Sequence, residues 1–170
     1  GVAPSRRESG KLPYGWEVNH RPMYDRILLP TDGDTSTTNA TRHAVDLAAA
    51  TGATLSVLYV VDEDVFGAYP GDEYVHEHEG AESGLEEAGQ EALDAAAELA
   101  EAADVTVETA MRYGHPHEEI LDYVADTGTD LVVMGTKSRS GEYRQLLGSV
   151  TDRVVRLCDV PVTVVKTETE

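Results

Sequence analysis

A chain of 170 residues suits one domain with a proper core, and 41% hydrophobic content leaves no room for wholesale disorder. Its formal net charge is −19, from 13 basic and 32 acidic residues, which repels nucleic acid and anionic lipid as general partners. No apolar run approaches the roughly 20 residues that cross a bilayer. Cys158 stands alone, so no internal disulfide forms, and a lone thiol fits a reducing, cytoplasmic compartment.

The charge has structure of its own. Three of the basic residues are lysines (Lys11, Lys137 and Lys166), and acids occur on every helical stretch. Such a surface fits a halophilic cytoplasm, where salt screens self-repulsion over a few ångströms; an ordinary acidic protein is the alternative. Residues 1–22 carry Arg6, Arg7, Lys11 and Arg21 against Glu8 and Glu17. The −19 of the chain less this +2 leaves −21 on residues 23–170. The sign flips at Met23, so residues 1–22 read as an extension or tag and 23–170 as the folded domain. The extension has no apolar core of the kind a secretory signal needs.

From Met23 onward, strand and helix patterns alternate, which argues for a parallel sheet covered on both faces. The first strand covers residues 26–30 and ends in the turn-forming Thr31-Asp32-Gly33-Asp34. Ala40, Ala44, Val45, Leu47 and Ala48 mark the first helix, which closes at Gly52. Residues 54–61 are a nearly continuous apolar strand of the type buried on both faces. Residues 62–82, with Gly67, Pro70, Gly71 and Gly80 among many acids, read as a mobile loop. From Leu85, the positions Ala88, Ala92, Ala96, Leu99 and Ala103 step as an amphipathic helix.

Val105, Val107 and Ala110 then alternate with polar residues, as in a strand near an edge. His115-Pro116 opens a helix, proline suiting its first turn, and Gly128 ends it. Residues 130–135 are the clearest buried strand. A polar, glycine-bearing stretch over 136–145 leads to the last helix, 149–158, and the last strand, 160–165. The count is five strands and four helices.

The stretch from Gly135 to Val150 leaves a strand and enters a helix through Gly148-Ser149. Free N–H groups at a helix start, with the helix dipole, attract phosphate, and glycine lets the backbone come close. Lys137 and Arg139 add positive charge to a chain with little of it. Ser149 is equally a plain N-cap, with Asp152 three residues on, and Gly141 a plain loop turn. Position favours phosphate: ligands of open α/β sheets sit beyond the carboxyl ends of strands where chain direction reverses. If the first and fourth strands are neighbours, Asp32 and the glycine loop share one crevice.

These residues together carry a resemblance. Ile27-Leu28-Leu29-Pro30 before Thr31-Asp32, Gly114-x-Pro116, the 130–135 strand, Leu147-Gly148-Ser149-Val150 and Val160-Pro161-Val162 stand in the order of the universal stress protein family. The chain resembles that family over residues 24–166. The resemblance implies a three-layer, doubly wound α/β fold with a five-stranded parallel sheet of order 3-2-1-4-5. It also implies a homodimer paired through the last strand (Val162, Val164) and, in one branch, bound ATP. That branch carries Gly-x2-Gly-x9-Gly-Ser/Thr. Gly135, Gly148, Ser149 and the nine-residue spacer match, while Ser138 replaces the second glycine. A non-glycine residue forced to positive φ costs roughly 1–2 kcal/mol, which weakens binding about tenfold.

By the same resemblance, Pro30, Thr31 and Asp32 meet the adenosine end and Val60 contributes to the adenine pocket. Met134, Gly135, Thr136, Gly148, Ser149 and Val150 surround ribose and phosphates, with Lys137 and Arg139 added on charge. The implied ligand is ATP or AMP, with Mg where the triphosphate binds, serving regulation under stress with at most slow ATP hydrolysis. The alternative is a relative that has lost its nucleotide and works as a dimeric interaction protein.

Weaker constellations read as structural. His76-Glu77-His78-Glu79 has no fixed coordination geometry. His115 to Glu119 is a helix start whose acids complement the dipole. Asp62-Glu63-Asp64 is a solvated turn, and Cys158 a small buried hydrophobe. A P-loop and a dinucleotide-binding glycine motif are both missing from the sequence. A phosphorylated receiver domain needs an aspartate ending its third strand, where this chain has Arg112-Tyr113-Gly114.

Overall fold

Runs of aliphatic and β-branched residues form five strands in the computed structural model, which describes residues 23–32, 38–63, 75–136 and 148–166. They are β1 (Arg26–Thr31), β2 (Thr54–Asp62), β3 (Val107–Gly114), β4 (Leu131–Gly135) and β5 (Val162–Val165). Between them lie α1 (Thr38–Thr51), α2 (Val75–Ala102), α3 (Pro116–Thr127) and α4 (Ser149–Leu157). All strand pairs are parallel, in the order β3-β2-β1-β4-β5 that the family resemblance implies. The chain therefore moves outward from β1 to β3, then returns to β1's other flank and moves outward again.

The period of two along each strand sorts the core into two layers. Ile27, Leu29, Leu55, Val57, Tyr59, Leu131 and Val133 face α1 and α2. Leu28, Leu58, Val132 and Met134 face α3 and α4. Because β1 is central, Ile27, Leu28 and Leu29 are all fully buried, which is why the run shows no polar alternation. Each such side chain contributes about 1.5–3 kcal/mol of burial. Ala40, Ala44 and Ala48 form the buried stripe of α1, and small residues let that helix lie close to the sheet.

Two boundaries were legible as chemistry. Pro116 occupies the first turn of α3, where its missing N–H costs nothing. Gly128 ends that helix with φ 66°, donating its N–H to the Val124 carbonyl.

The loop expected over 62–82 is corrected at both ends. β2 runs through Asp62, and α2 begins at Val75, ten residues ahead of Leu85. Gly80 and Gly84 fall inside that helix. Glycine costs about 1 kcal/mol in a helix interior, and the Leu93, Ala96 and Ala100 face buried on the sheet anchors a helix long enough to absorb it. His76 to Glu79 therefore lie on the first turns of α2, and their side chains lie outside the described residues. The strand expected near Val105 starts at Val107 and continues to Gly114.

Candidate functional site

Beyond Leu28, β1 no longer pairs with β4, whose partners on it are Ile27 and Leu28. Pro30 follows, without an N–H to donate. The strands part there, and a cavity of about 370 Å³ opens at their carboxyl ends. Its size falls in the range of small-ligand sites.

Pro30, Thr31 and Asp32 line it from β1 and the residue that follows, and Val60 from β2. Met134 and Gly135 line it from β4, and Gly148, Ser149 and Val150 from the start of α4. The structure thus brings together nine of the residues singled out from sequence. Thr136 is not among the lining residues; its N–H donates to the Val165 carbonyl at 3.0 Å, extending the ladder to β5. Lys137, Ser138, Arg139 and Gly141 lie outside the described residues.

Ser149 is not the N-cap of α4. Gly148 holds that position, with φ −56° and ψ 151°, and Asp152 donates its N–H to the Gly148 carbonyl at 2.9 Å. The backbone there is one that any residue adopts, so conformation does not require glycine. What glycine changes is chemistry: it offers no side-chain oxygen to the first-turn donors. The N–H groups of Ser149, Val150 and Thr151 have no acceptor within the helix. They stand at the positive end of the helix dipole, on the wall of the cavity.

Thr151 fixes this donor array. It is 5% exposed, and its hydroxyl donates to the Gly135 carbonyl at 3.2 Å, joining α4 to β4. One helical turn on, Val154 is fully buried in the layer with Leu28 and Val132.

Apolar side chains from both faces of the sheet complete the lining, and sequence reasoning largely missed them. Leu85 reaches it from α2, and Pro116 and Ile120 from α3. Spacing marked Leu85 as the start of a helix face and chemistry marked Pro116 as a helix start, and no sequence signal told that either borders a cavity. Tyr59 also lines it, and its ring lies against Gly89 of α2. A Cβ on Gly89 would stand 2.3 Å from the ring, so glycine alone lets α2 approach this closely. Burial pushes the Tyr59 phenol above its usual range, and the Asp32 carboxylate pushes it further. Asp32 and Asp62 are the charged side chains among the described lining residues.

Cys158 caps the end of α4, half-buried against the same apolar layer. Among the described residues, no three His, Cys, Asp or Glu side chains form a metal-holding group. No helix among them is long and apolar enough to cross a membrane.

The universal stress protein family model matches residues 23–166. The chain belongs to the universal stress protein family. Universal stress protein MJ0531 of Methanocaldococcus jannaschii is 37% identical over 151 residues, covering 87% of this chain and 85% of that protein. Universal stress protein UspA from Lactobacillus plantarum superposes with TM-score 0.74 at 26% identity, covering 84% of this chain and 97% of that one. A universal stress protein solved in complex with cAMP matches at TM-score 0.62 and 25% identity, over 85% of this chain and 98% of that one.

Proposed function

We propose that this universal stress protein binds an adenine nucleotide, ATP or AMP, in the cleft between β1 and β4. The observation that carries the reading is the meeting of a glycine-capped helix start with Asp32 in one cavity. A phosphate accepts from the Ser149 and Val150 N–H groups. Ribose and base extend toward Asp32 and Val60, among the apolar side chains of Leu85, Pro116 and Ile120. The ligand in the cAMP-bound relative is likewise an adenine nucleotide, which supports this choice of ligand class. Two carboxylates on the lining favour a ligand whose phosphates arrive with Mg when there are three of them. Turnover is not required for a regulatory role.

Calorimetry with AMP, and with ATP plus Mg, is the direct test. Micromolar binding, or adenine nucleotide released when the purified protein is denatured, is the expected result. No heat and no thermal shift with either ligand would reject the reading. It would leave a dimeric interaction protein of the same fold.

The dimer is part of the proposal. β5 is an edge strand whose Val162, Thr163, Val164 and Val165 are all half-exposed and uncharged. Such an edge invites pairing with a second copy. Light scattering should give the mass of two chains, falling to one in Val164→Lys; a wild-type mass of one chain rejects the pairing.

A further inference from the structure

We propose that Thr151 is a positioning residue for the phosphate, an inference that rests on the nucleotide reading and deepens it. In the first turn of a helix a threonine hydroxyl has no carbonyl of that helix four residues back to accept its proton. Here it reaches across 16 residues to Gly135, at 3.2 Å. That carbonyl belongs to the strand end forming one side of the cleft, and the helix start forms the other.

The remaining anchors of α4 constrain it differently. Val150 and Val154 pack into the apolar layer beneath the sheet, which fixes the helix's rotation about its axis. Apolar contact is non-directional and tolerates sliding along that axis. A hydrogen bond is directional and short in range, and it resists sliding. Phosphate binding by backbone donors depends on that coordinate, because N–H to oxygen distances must fall near 2.7–3.2 Å. The Thr151–Gly135 bond therefore holds the two phosphate-facing segments in register, from a residue that itself lines the cleft and whose hydroxyl is engaged by the strand end.

The test uses the full chain with AMP and adenosine as probes, measured by calorimetry beside a thermal melt. Thr151→Val keeps the shape and removes the hydroxyl; Thr151→Ser keeps the bond. Thr151→Val should weaken AMP about tenfold, the size of one lost hydrogen bond. Adenosine, which has no phosphate to place, should weaken by less than about threefold, and Thr151→Ser should return AMP to within about threefold of wild type. A purely structural threonine would lower the melting temperature and weaken both ligands alike, which overturns the proposal. Unchanged AMP affinity in Thr151→Val also overturns it while leaving the nucleotide reading intact. A wild-type protein that binds neither ligand rejects both.

Discussion

At the amino ends of the strands, Asp130 turns its carboxylate onto the N–H groups of Asp25 and Arg26, at 2.8 and 3.3 Å. Beside it, Arg26 donates to the Ser56 hydroxyl at 3.1 Å and pairs with Glu108, linking β1, β2 and β3. Side chains from the fold itself satisfy this end. At the carboxyl ends the first-turn donors of α4 meet Gly148, which has no side-chain oxygen to offer them. Among the described residues, side chains close the backbone donors at one end, while at the other the donors line the cavity. An acid before a strand closes one end; a glycine before a helix leaves the other without a capping side chain, where the proposed nucleotide would bind.

The largest expected effect comes from breaking the open end through its core. Gly89→Val drives a branched side chain into the Tyr59 ring, which is itself 5% exposed. Overpacking of this kind costs up to about 3 kcal/mol, read from urea unfolding, and nucleotide affinity falls with it because Tyr59 lines the cleft. Stability equal to wild type would mean that α2 retreats freely. Asp130→Ala should come next. It strips two N–H groups of their acceptor and costs about 1–2 kcal/mol, yet it leaves nucleotide affinity unchanged, since it acts at the closed end. Loss of binding without loss of stability would erase the distinction between the ends.

Gly148→Asp sharpens the comparison by giving the open end what the closed end has. An aspartate N-cap accepts from the first-turn donors and should raise stability by a few tenths of a kcal/mol. The same carboxylate occupies and repels the phosphate position, so AMP affinity should fall about tenfold or more. A melt and a titration on one preparation check both signs. Gain in stability with undiminished binding would show that phosphate sits elsewhere.

The contrast between the ends also explains what could be foreseen. Ile27 to Leu29 and Leu131 to Met134 were legible because a strand covered on both faces has no polar side to hide. Pro116 and Gly128 were legible because backbone geometry restricts which residues suit those positions. Asp32 and the Gly148 to Val150 stretch stood out through strand-end and helix-start chemistry. Leu85 was visible only as a helix face and Pro116 only as a helix start, since the cavity exists only after α2 and α3 dock. Gly89 carried no signal in the sequence, yet it is the space a tyrosine ring needs. Asp130 read only as the start of a buried strand and Thr151 carried no signal, because their partners lie about a hundred residues and 16 residues away.

The smallest effect separates the two causes acting on Tyr59. Burial is the larger and the Asp32 carboxylate the smaller, and both raise the phenol. A group whose folded pKa lies above its unfolded value adds stability that is complete below the unfolded pKa. That contribution disappears as pH rises through the folded one. The loss attributable to Tyr59 should therefore begin only above about pH 10, the ordinary tyrosine value, and Tyr59→Phe should remove that part of the decline. Asp32→Asn deletes the charge and leaves the burial, so it should move the Tyr59 titration only part of the way back. The difference in ultraviolet absorbance between each protein and its Tyr59→Phe counterpart isolates this phenol from the other seven tyrosines. A titration that returns fully to the ordinary range in Asp32→Asn would invert the order of causes. It would make the carboxylate, rather than the packing of α2 on β2, the dominant influence at this corner of the cleft.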